Sequence, residues 1–457
     1  MENNKFFWES TLTMEENEYA KHSVSEIDAW IRDVNQKAEV TLKKISLSEC
    51  SPWFYDKERG EIRNEKSAFF QITGIRQEQD GKILCEQPII IQDEIGFLGI
   101  LCCKIQGAWH YLMQAKIEPG NVNVVQISPT IQATKSNFEQ KHGGKVPQFL
   151  EYFLHMNPQD ILVDQLQSEQ SSRFLGKRNR NVILMVQNEL EETDNHRWMT
   201  LRQIKELMKR DNLINMDTRT VLSCIPYVLL GQEGDVPFKN KPYFYKSAWK
   251  LNRRTITELY KYMNDYKMFH RIQNQKVPLH LLENWRMEDN RIVCLEEYPF
   301  QVIFCDIGIQ GREVQHWRQP LIEANGHALF GLFCCDSEGV LEFLIRPRAE
   351  IGCMDGIELG PTVQMEDRML PQDRVTQLFL DKLCGKEGVV ADIMLSEEGG
   401  RFFQEQNRNA IIMIRKEELK ELPAGYVWSD YGTLNMLTQV NNCLNIQLRN
   451  LLSLLEL

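Results

Sequence analysis

Hydrophobic positions along the chain fall first into short runs and only later into helical spacing. Ala68 to Ile75, Gly96 to Lys104 and Ala108 to Ile117 are rich in Phe, Ile, Leu and Cys. Gly107 and the stretch from Gln77 to Lys82 interrupt them, a pattern that predicts antiparallel hairpins. Runs of the same kind return at Phe300 to Ile307, Ala328 to Cys335 and Val340 to Arg346. Within Val146 to His155 the residues Phe149, Leu150, Phe153 and Leu154 stand at helical spacing, and Gln203 to Arg210, Asp217 to Leu230 and Leu251 to Met268 also read as helices. Each unit is then a mixed sheet with helices packed against it, an α/β (α+β) fold.

The chain also matches itself. Laid so that Trp53 falls on Trp285, it places Gln87-Pro88 on Gln319-Pro320, Cys102-Cys103 on Cys334-Cys335, Glu118 on Glu350, Gly120 on Gly352 and Pro129-Thr130 on Pro361-Thr362. After small changes in loop length, Ser168-Glu169 recurs as Ser396-Glu397, and Trp198, Asn212, Asn215 and Arg219 recur as Trp428, Asn442, Asn445 and Arg449. Self-similarity of this extent is a tandem duplication. The expected division is residues 1–235 and 236–457, with the boundary between about 230 and 250.

Composition narrows the function. Hydrophobic residues make up 42% of the 457 and charged residues 26%, which excludes wholesale disorder. The net charge of −11 lacks the basic footprint that a phosphate backbone requires, so nucleic acid is excluded as a partner. The apolar runs are far shorter than the ~20 residues of a membrane-spanning helix. The opening Met-Glu-Asn-Asn-Lys has no apolar segment behind it, and the expectation is a cytoplasmic protein without a membrane partner. The 12 cysteines include no CxxC pair, and neighbours such as Cys102 and Cys103 on a strand point to opposite faces, so they are expected in the core. HExxH, Walker, GxGxxG and GxSxG motifs are absent from the sequence.

The densest polar stretch runs from Lys116 to Thr134. Glu118-Pro119-Gly120-Asn121 has turn chemistry, and beyond it Gln126, Ser128, Thr130, Gln132 and Thr134 alternate with apolar residues, as if on one face of a strand. Such a face suits either a ligand rich in hydroxyls and carbonyls or a buried structural network. Glu118 and Glu350 each lie two residues after a cation, Lys116 or Arg348. That arrangement serves an ion pair or a general base.

Several long segments carry a family resemblance. They are Gln87-Pro88-Ile89-Ile90, the run Met113 to Thr134, Trp317 with Gln319-Pro320-Leu321, Glu358 to Gln364, and Ser396 to Phe402 with Gln406-Asn407-Arg408. In this order they closely resemble the NDP-hexose 2,3-dehydratases of deoxysugar biosynthesis, over nearly the whole chain. The resemblance implies a tandem pair of Nudix-hydrolase-like units, a homodimer, no metal or other cofactor, and dTDP-4-keto-6-deoxyglucose as substrate. Water would be lost across C2 and C3, and a downstream 3-ketoreductase would take the 3,4-diketo product. Of the Nudix signature, Gly399, Glu405 and Glu417-Glu418 keep their spacing, whereas Met413-Ile414 and Lys420 depart from it. A nucleotide-sugar hydrolase or a non-catalytic binding protein are the alternatives.

A ketone at C4 acidifies the C3 hydrogen, so the reaction needs a base, an acid, and donors for the enolate and the diphosphate. On this reading Glu118 or His142 is the base, with Glu350 in reserve, and Lys116, Asn121 and Asn123 lie near the sugar. Gln126, Ser128, Thr130 and Gln132 line the pocket, with Thr362, Gln364 and Trp317 as further contacts. Arg173, Arg180, Arg346, Arg348 and Arg401 are the candidates for the phosphates.

Overall fold

The computed structural model describes residues 19–66, 70–134, 146–227, 242–310 and 314–455. The expected hairpins form, somewhat longer than the apolar runs: Gln71–Gln79 with Lys82–Ile91, Gly96–Ile105 with Ala108–Ile117, and Leu329–Ser337 with Val340–Arg348. Each closes through two left-handed residues, Asp80-Gly81, Gln106-Gly107 and Glu338-Gly339. That is the turn whose twist matches paired strands, and Gly supplies the second position without strain.

Each half builds a seven-stranded mixed sheet. In the first the order is Ile161–Ser168, Arg178–Met185, Gly96–Ile105, Ala108–Ile117, His196–Thr200, with only the contact of Arg178–Met185 to Gly96–Ile105 parallel. The second repeats the plan around Leu329–Ser337 and Val340–Arg348. The polar stretch expected as one strand is two. Val125–Ser128 pairs with Ala108–Ile117, the chain breaks at Pro129, and Ile131–Ala133 pairs with Gly96–Ile105. A proline cannot donate to a ladder, so the five polar residues do not share a face. The helix expected over 146–155 shortens to Leu150–Leu154, preceded by a left-handed Phe149.

The recurring asparagines are explained by the backbone. Asn215 and Asn445 cap the helices Met216–Ser223 and Ile446–Ser453, accepting from the N–H of Thr218 at 2.9 Å and of Leu448 at 3.0 Å. Asn212 and Asn442 both sit at φ 56°, where Asn is the best tolerated residue after Gly. The paired cysteines Cys102, Cys103, Cys334 and Cys335 are buried and free, as their strands dictate.

The two halves exchange strands. Val40–Ile45 leaves the first half to pair with Phe300–Ile309, and its counterpart Ile272–Val277 pairs in return with Gln71–Gln79. Neither was legible as a strand, because VTLKKI and IQNQKV hold too few apolar residues to make a run. The loops interlock as well. Gly120 donates its N–H to Gly399 at 2.7 Å, and Gly352 donates to Ser171 at 2.8 Å. A methyl on Gly120 would lie 1.6 Å from the Phe402 carbonyl oxygen, and one on Gly352 2.0 Å from that of Phe174. The boundary expected near residue 235 falls outside the described residues.

Gly120→Ala is therefore expected to force the two loops apart and to cost about 3 kcal/mol, the upper end for inserting a methyl into packed structure. Gly107→Ala, in open space at φ 88°, is expected to lose about 1 kcal/mol from the backbone alone. Urea denaturation of the two variants against wild type measures the difference.

Candidate active site

A cavity of about 560 Å³ opens between the first half's large sheet and loops of the second. The first half contributes Lys116, Glu118, Gln132, Glu169, Lys177 and Asp217, and the second contributes Trp317, Glu398 and Arg401. The site therefore exists only when both halves are folded against each other.

Its polar framework is a chain of bonds. Lys116 lies 3.5 Å from the Glu118 carboxylate, which also accepts from Gln132 Nε2 at 3.2 Å, and Gln132 Oε1 in turn accepts from Asn215 at 3.3 Å. Asn179 donates to Glu169 at 2.8 Å, leaving Glu169 Oε1 without a partner among the described residues. Burial pushes the Glu169 carboxyl up to about 7, with Lys177 opposing, and pulls the Lys177 amine down to about 8. Glu398 is likewise pushed up to about 7, by burial first and then by Glu118. Burial, followed by Glu169, Glu398 and Glu118, holds the Asp217 carboxyl well above its ordinary range.

Arg401 stacks on Phe70 at 4.2 Å and donates Nη1 to the Gly400 carbonyl at 2.8 Å and Nε to Gln92 at 3.3 Å. Its Nη2 meets no acceptor among the described residues, so donors are left for an anion. Trp317 is held by its own strand neighbour, the indole N–H donating to Gln319 at 3.0 Å, and Gln319 pins the loop through the Gly400 carbonyl at 2.7 Å.

Five of the residues expected at the site line this cavity: Lys116, Glu118, Gln132, Trp317 and Arg401. The others have local tasks. Asn121 closes its turn on the Val124 carbonyl at 2.9 Å, Asn123 donates to the Asp211 carbonyl at 3.0 Å, and Ser128 bonds to Gln114 at 3.3 Å. Gln126 donates across the halves to Ser396 at 2.7 Å. Thr130 and Thr362, both fully buried, tie adjacent strands together by accepting from Leu101 and Phe333 at 2.9 Å. Arg180 is held bidentate by Asp164, and Arg346 by Asp373 and Tyr426. His142 lies outside the described residues.

Arg173, Arg348, Glu350 and Gln364 build the second half's counterpart of the framework. Gln364 donates to Glu350 at 2.8 Å and accepts from Asn445 at 3.0 Å, repeating the first half's chain. There, however, Glu366 stands where the first half has Thr134, and it accepts from Arg173 at 3.0 Å while that guanidinium stacks on Phe300 at 4.3 Å. The second site's arginine is thus answered by its own chain. Of the Nudix-spaced acids, Glu418 is paired with Lys382 at 2.7 Å, Glu417 is exposed, and neither lines the cavity.

Reasoning from sequence passed over Glu169, Lys177, Asp217 and Glu398. The duplication held a signal for three of them, since Glu405, Gln447 and Gln170 occupy the positions of Lys177, Asp217 and Glu398 in the other copy.

A polar cavity with an arginine short of an acceptor, a depressed lysine and clustered raised carboxyls, assembled from two copies of one unit, defines an enzyme site for a polar small molecule. The NDP-hexose 2,3-dehydratase family profile matches the chain twice, over residues 24–225 and 256–455. A protein of Saccharopolyspora spinosa named dTDP-4-dehydro-6-deoxy-alpha-D-glucopyranose 2,3-dehydratase is 36% identical over 442 residues, covering 94% of this chain and 91% of that protein. Proteins of the same name from Streptomyces violaceoruber and Amycolatopsis orientalis are 34% and 32% identical, covering 93% and 94% of this chain and 95% and 89% of their own. The chain belongs to the NDP-hexose 2,3-dehydratase family.

The raised carboxyls make a stability prediction. Glu405, in the second half's framework, is pushed up to about 8 by burial, with Glu397 and Glu366 adding and Arg173 opposing. It binds its proton more tightly folded than unfolded, so its contribution is intact below about pH 4.5 and is lost as pH rises towards 8. Glu405→Gln removes that loss. The melting temperature of the variant should gain on wild type progressively between pH 5 and pH 8.

Proposed function

We propose that the chain is a dTDP-4-keto-6-deoxyglucose 2,3-dehydratase and that the cavity of its first half is the working site. The observation that carries this is the difference between the twin sites: Arg401 keeps donors for a diphosphate, whereas Arg173 is neutralised by Glu366. Family membership and the names of the three relatives supply the substrate class. Each half is proposed to be a Nudix-like unit, the division to be 1–235 and 236–457, the assembly a homodimer without a cofactor, and the location cytoplasmic. Among the described residues no helix is long and apolar enough to cross a membrane.

On this reading Arg401, with Lys177, answers the diphosphate, and Trp317 and Phe97 offer apolar faces for thymine. Lys116, Glu118 and Gln132 face the sugar. The C4 ketone makes the C3 proton removable, and the cavity's carboxyls, Glu118, Glu169, Asp217 and Glu398, supply acid and base for loss of the C2 hydroxyl. Crowding in a desolvated space raises Glu169, Asp217 and Glu398 to different extents, and an elimination requires groups that differ in their hold on a proton.

Incubation with dTDP-4-keto-6-deoxyglucose, together with a 3-ketoreductase and its nicotinamide cofactor to trap the diketone, should give a 2-deoxy sugar with the diphosphate intact. Release of a monophosphate, or unchanged substrate, would refute the assignment. Arg401→Gln removes a charge-assisted contact of about 1.5–3 kcal/mol, so KM should rise about 10- to 150-fold.

A further inference from the structure

Among the described residues four carboxyls line the cavity, and the duplication divides them into two kinds. Glu118 and Glu169 recur in the second half as Glu350 and Glu397, each with its framework partners: Gln132 or Gln364 for the first, Asn179 or Asn407 for the second. Their bonds serve a scaffold that both copies need. Asp217 and Glu398 do not recur, because Gln447 and Gln170 stand in their places in the copy whose arginine is already neutralised.

These two also differ in how the protein holds them. Asp217 is 2% exposed, lies in the first turn of the helix Met216–Ser223, lines the cavity, and has no hydrogen-bond or ion-pair partner among the described residues. Glu398 enters from the other half, and among the described residues its carboxylate accepts only the Gly400 N–H, at 3.1 Å. A buried carboxyl without a partner is costly unless it is neutral or meets a ligand. The groups acting on Asp217 are the carboxyls of Glu169, Glu398 and Glu118, the Lys116 amine, and Arg219 on its own helix. The helix N-terminus favours the anion, but by only about 0.3–1 kcal/mol. Burial and the three carboxyls outweigh it and push the Asp217 carboxyl well above its ordinary range, towards the neutral form, while Glu398, more open to the cavity, is pushed up only to about 7.

Building on the function proposed above, we infer that Asp217 and Glu398 are the acid and base of the elimination, brought together from opposite halves of the chain. The Glu398 carboxylate takes the C3 proton, and the C–H electron pair forms C3=C4 as the C4 oxygen becomes an enolate. The enolate then re-forms C4=O, its C3=C4 pair shifts to C2=C3, and the C2–O bond breaks with its electrons. The departing hydroxide takes the Asp217 proton and leaves as water. The enol left behind gains a proton at C2 from Glu398 and returns its O3 proton to Asp217. That yields the 3,4-diketone and restores both groups.

The test separates the two proton transfers. In D₂O with dTDP-4-keto-6-deoxyglucose, Asp217→Asn should exchange the C3 hydrogen for deuterium while its turnover falls about 10²- to 10⁴-fold. Glu398→Gln should lose exchange and turnover alike, while both variants still bind dTDP. Asp217→Gln, which installs the residue of the second copy, guards against a folding defect peculiar to Asn and should behave as Asp217→Asn does. Near wild-type turnover by either Asp217 variant, or C3 exchange by Glu398→Gln, would overturn the assignment. Wild-type enzyme that neither exchanges nor eliminates would overturn the dehydratase reading itself, and the assignment with it.

Discussion

Two buried arginines hold the architecture together. Arg219 reaches from the last helix of the first half to the Ser396 carbonyl at 2.8 Å, and Arg449 reaches from the last helix of the second to the Ser168 carbonyl at 2.6 Å. Both are almost fully buried, and a guanidinium taken out of water must find acceptors or destabilise the fold. Each finds one acceptor in its own half, the Ile214 or the Leu444 carbonyl, and the other in the opposite half. With the exchanged strands and the crossed glycine loops, this makes each copy of the duplicated unit the missing part of the other. Because the strand Val389–Ser396 runs on directly into the loop that carries Glu398 and Arg401, the contact that joins the halves also sets the geometry of the cavity.

Duplication under such mutual dependence leaves the scaffold little freedom but allows the cavities to diverge. The ion-paired and amide-bonded framework of Lys116, Glu118, Gln132 and Asn215 has its counterpart in Arg348, Glu350, Gln364 and Asn445. What changes is who answers the arginine. With Thr134 nearby the first site's guanidinium keeps donors to spare, and with Glu366 the second site's is neutralised from within. One carboxylate is enough, because at short range in a desolvated space an ion pair outweighs the weak attraction of a ligand held at a distance.

Much of this was legible from the chain. The hairpins were marked by apolar runs and by glycine at the second turn position, as at Gln106-Gly107, and the duplication by matched residues such as Trp53 and Trp285. The long motifs carry the family, and of the residues the sequence offers as site candidates Lys116, Glu118, Gln132, Trp317 and Arg401 line the cavity. The exchanged strands were not legible, since VTLKKI and IQNQKV hold too few apolar residues to make a run and take their ladder partners from a distant part of the chain. Nor was the break at Pro129, where alternation suggested one strand and the proline divided it into two.

The sequence by itself determined the local elements, the twofold repetition and the family, because turn chemistry, periodicity and long motifs are properties of neighbouring residues. Only the tertiary structure decided that Glu398 and Arg401 belong to the first half's cavity, that Thr130 and Thr362 stitch strands, and that Asp217 sits without a partner among the described residues. Proximity between residues 181 positions apart, and the desolvation that comes with it, arise when the chain closes on itself and are written in no segment of it.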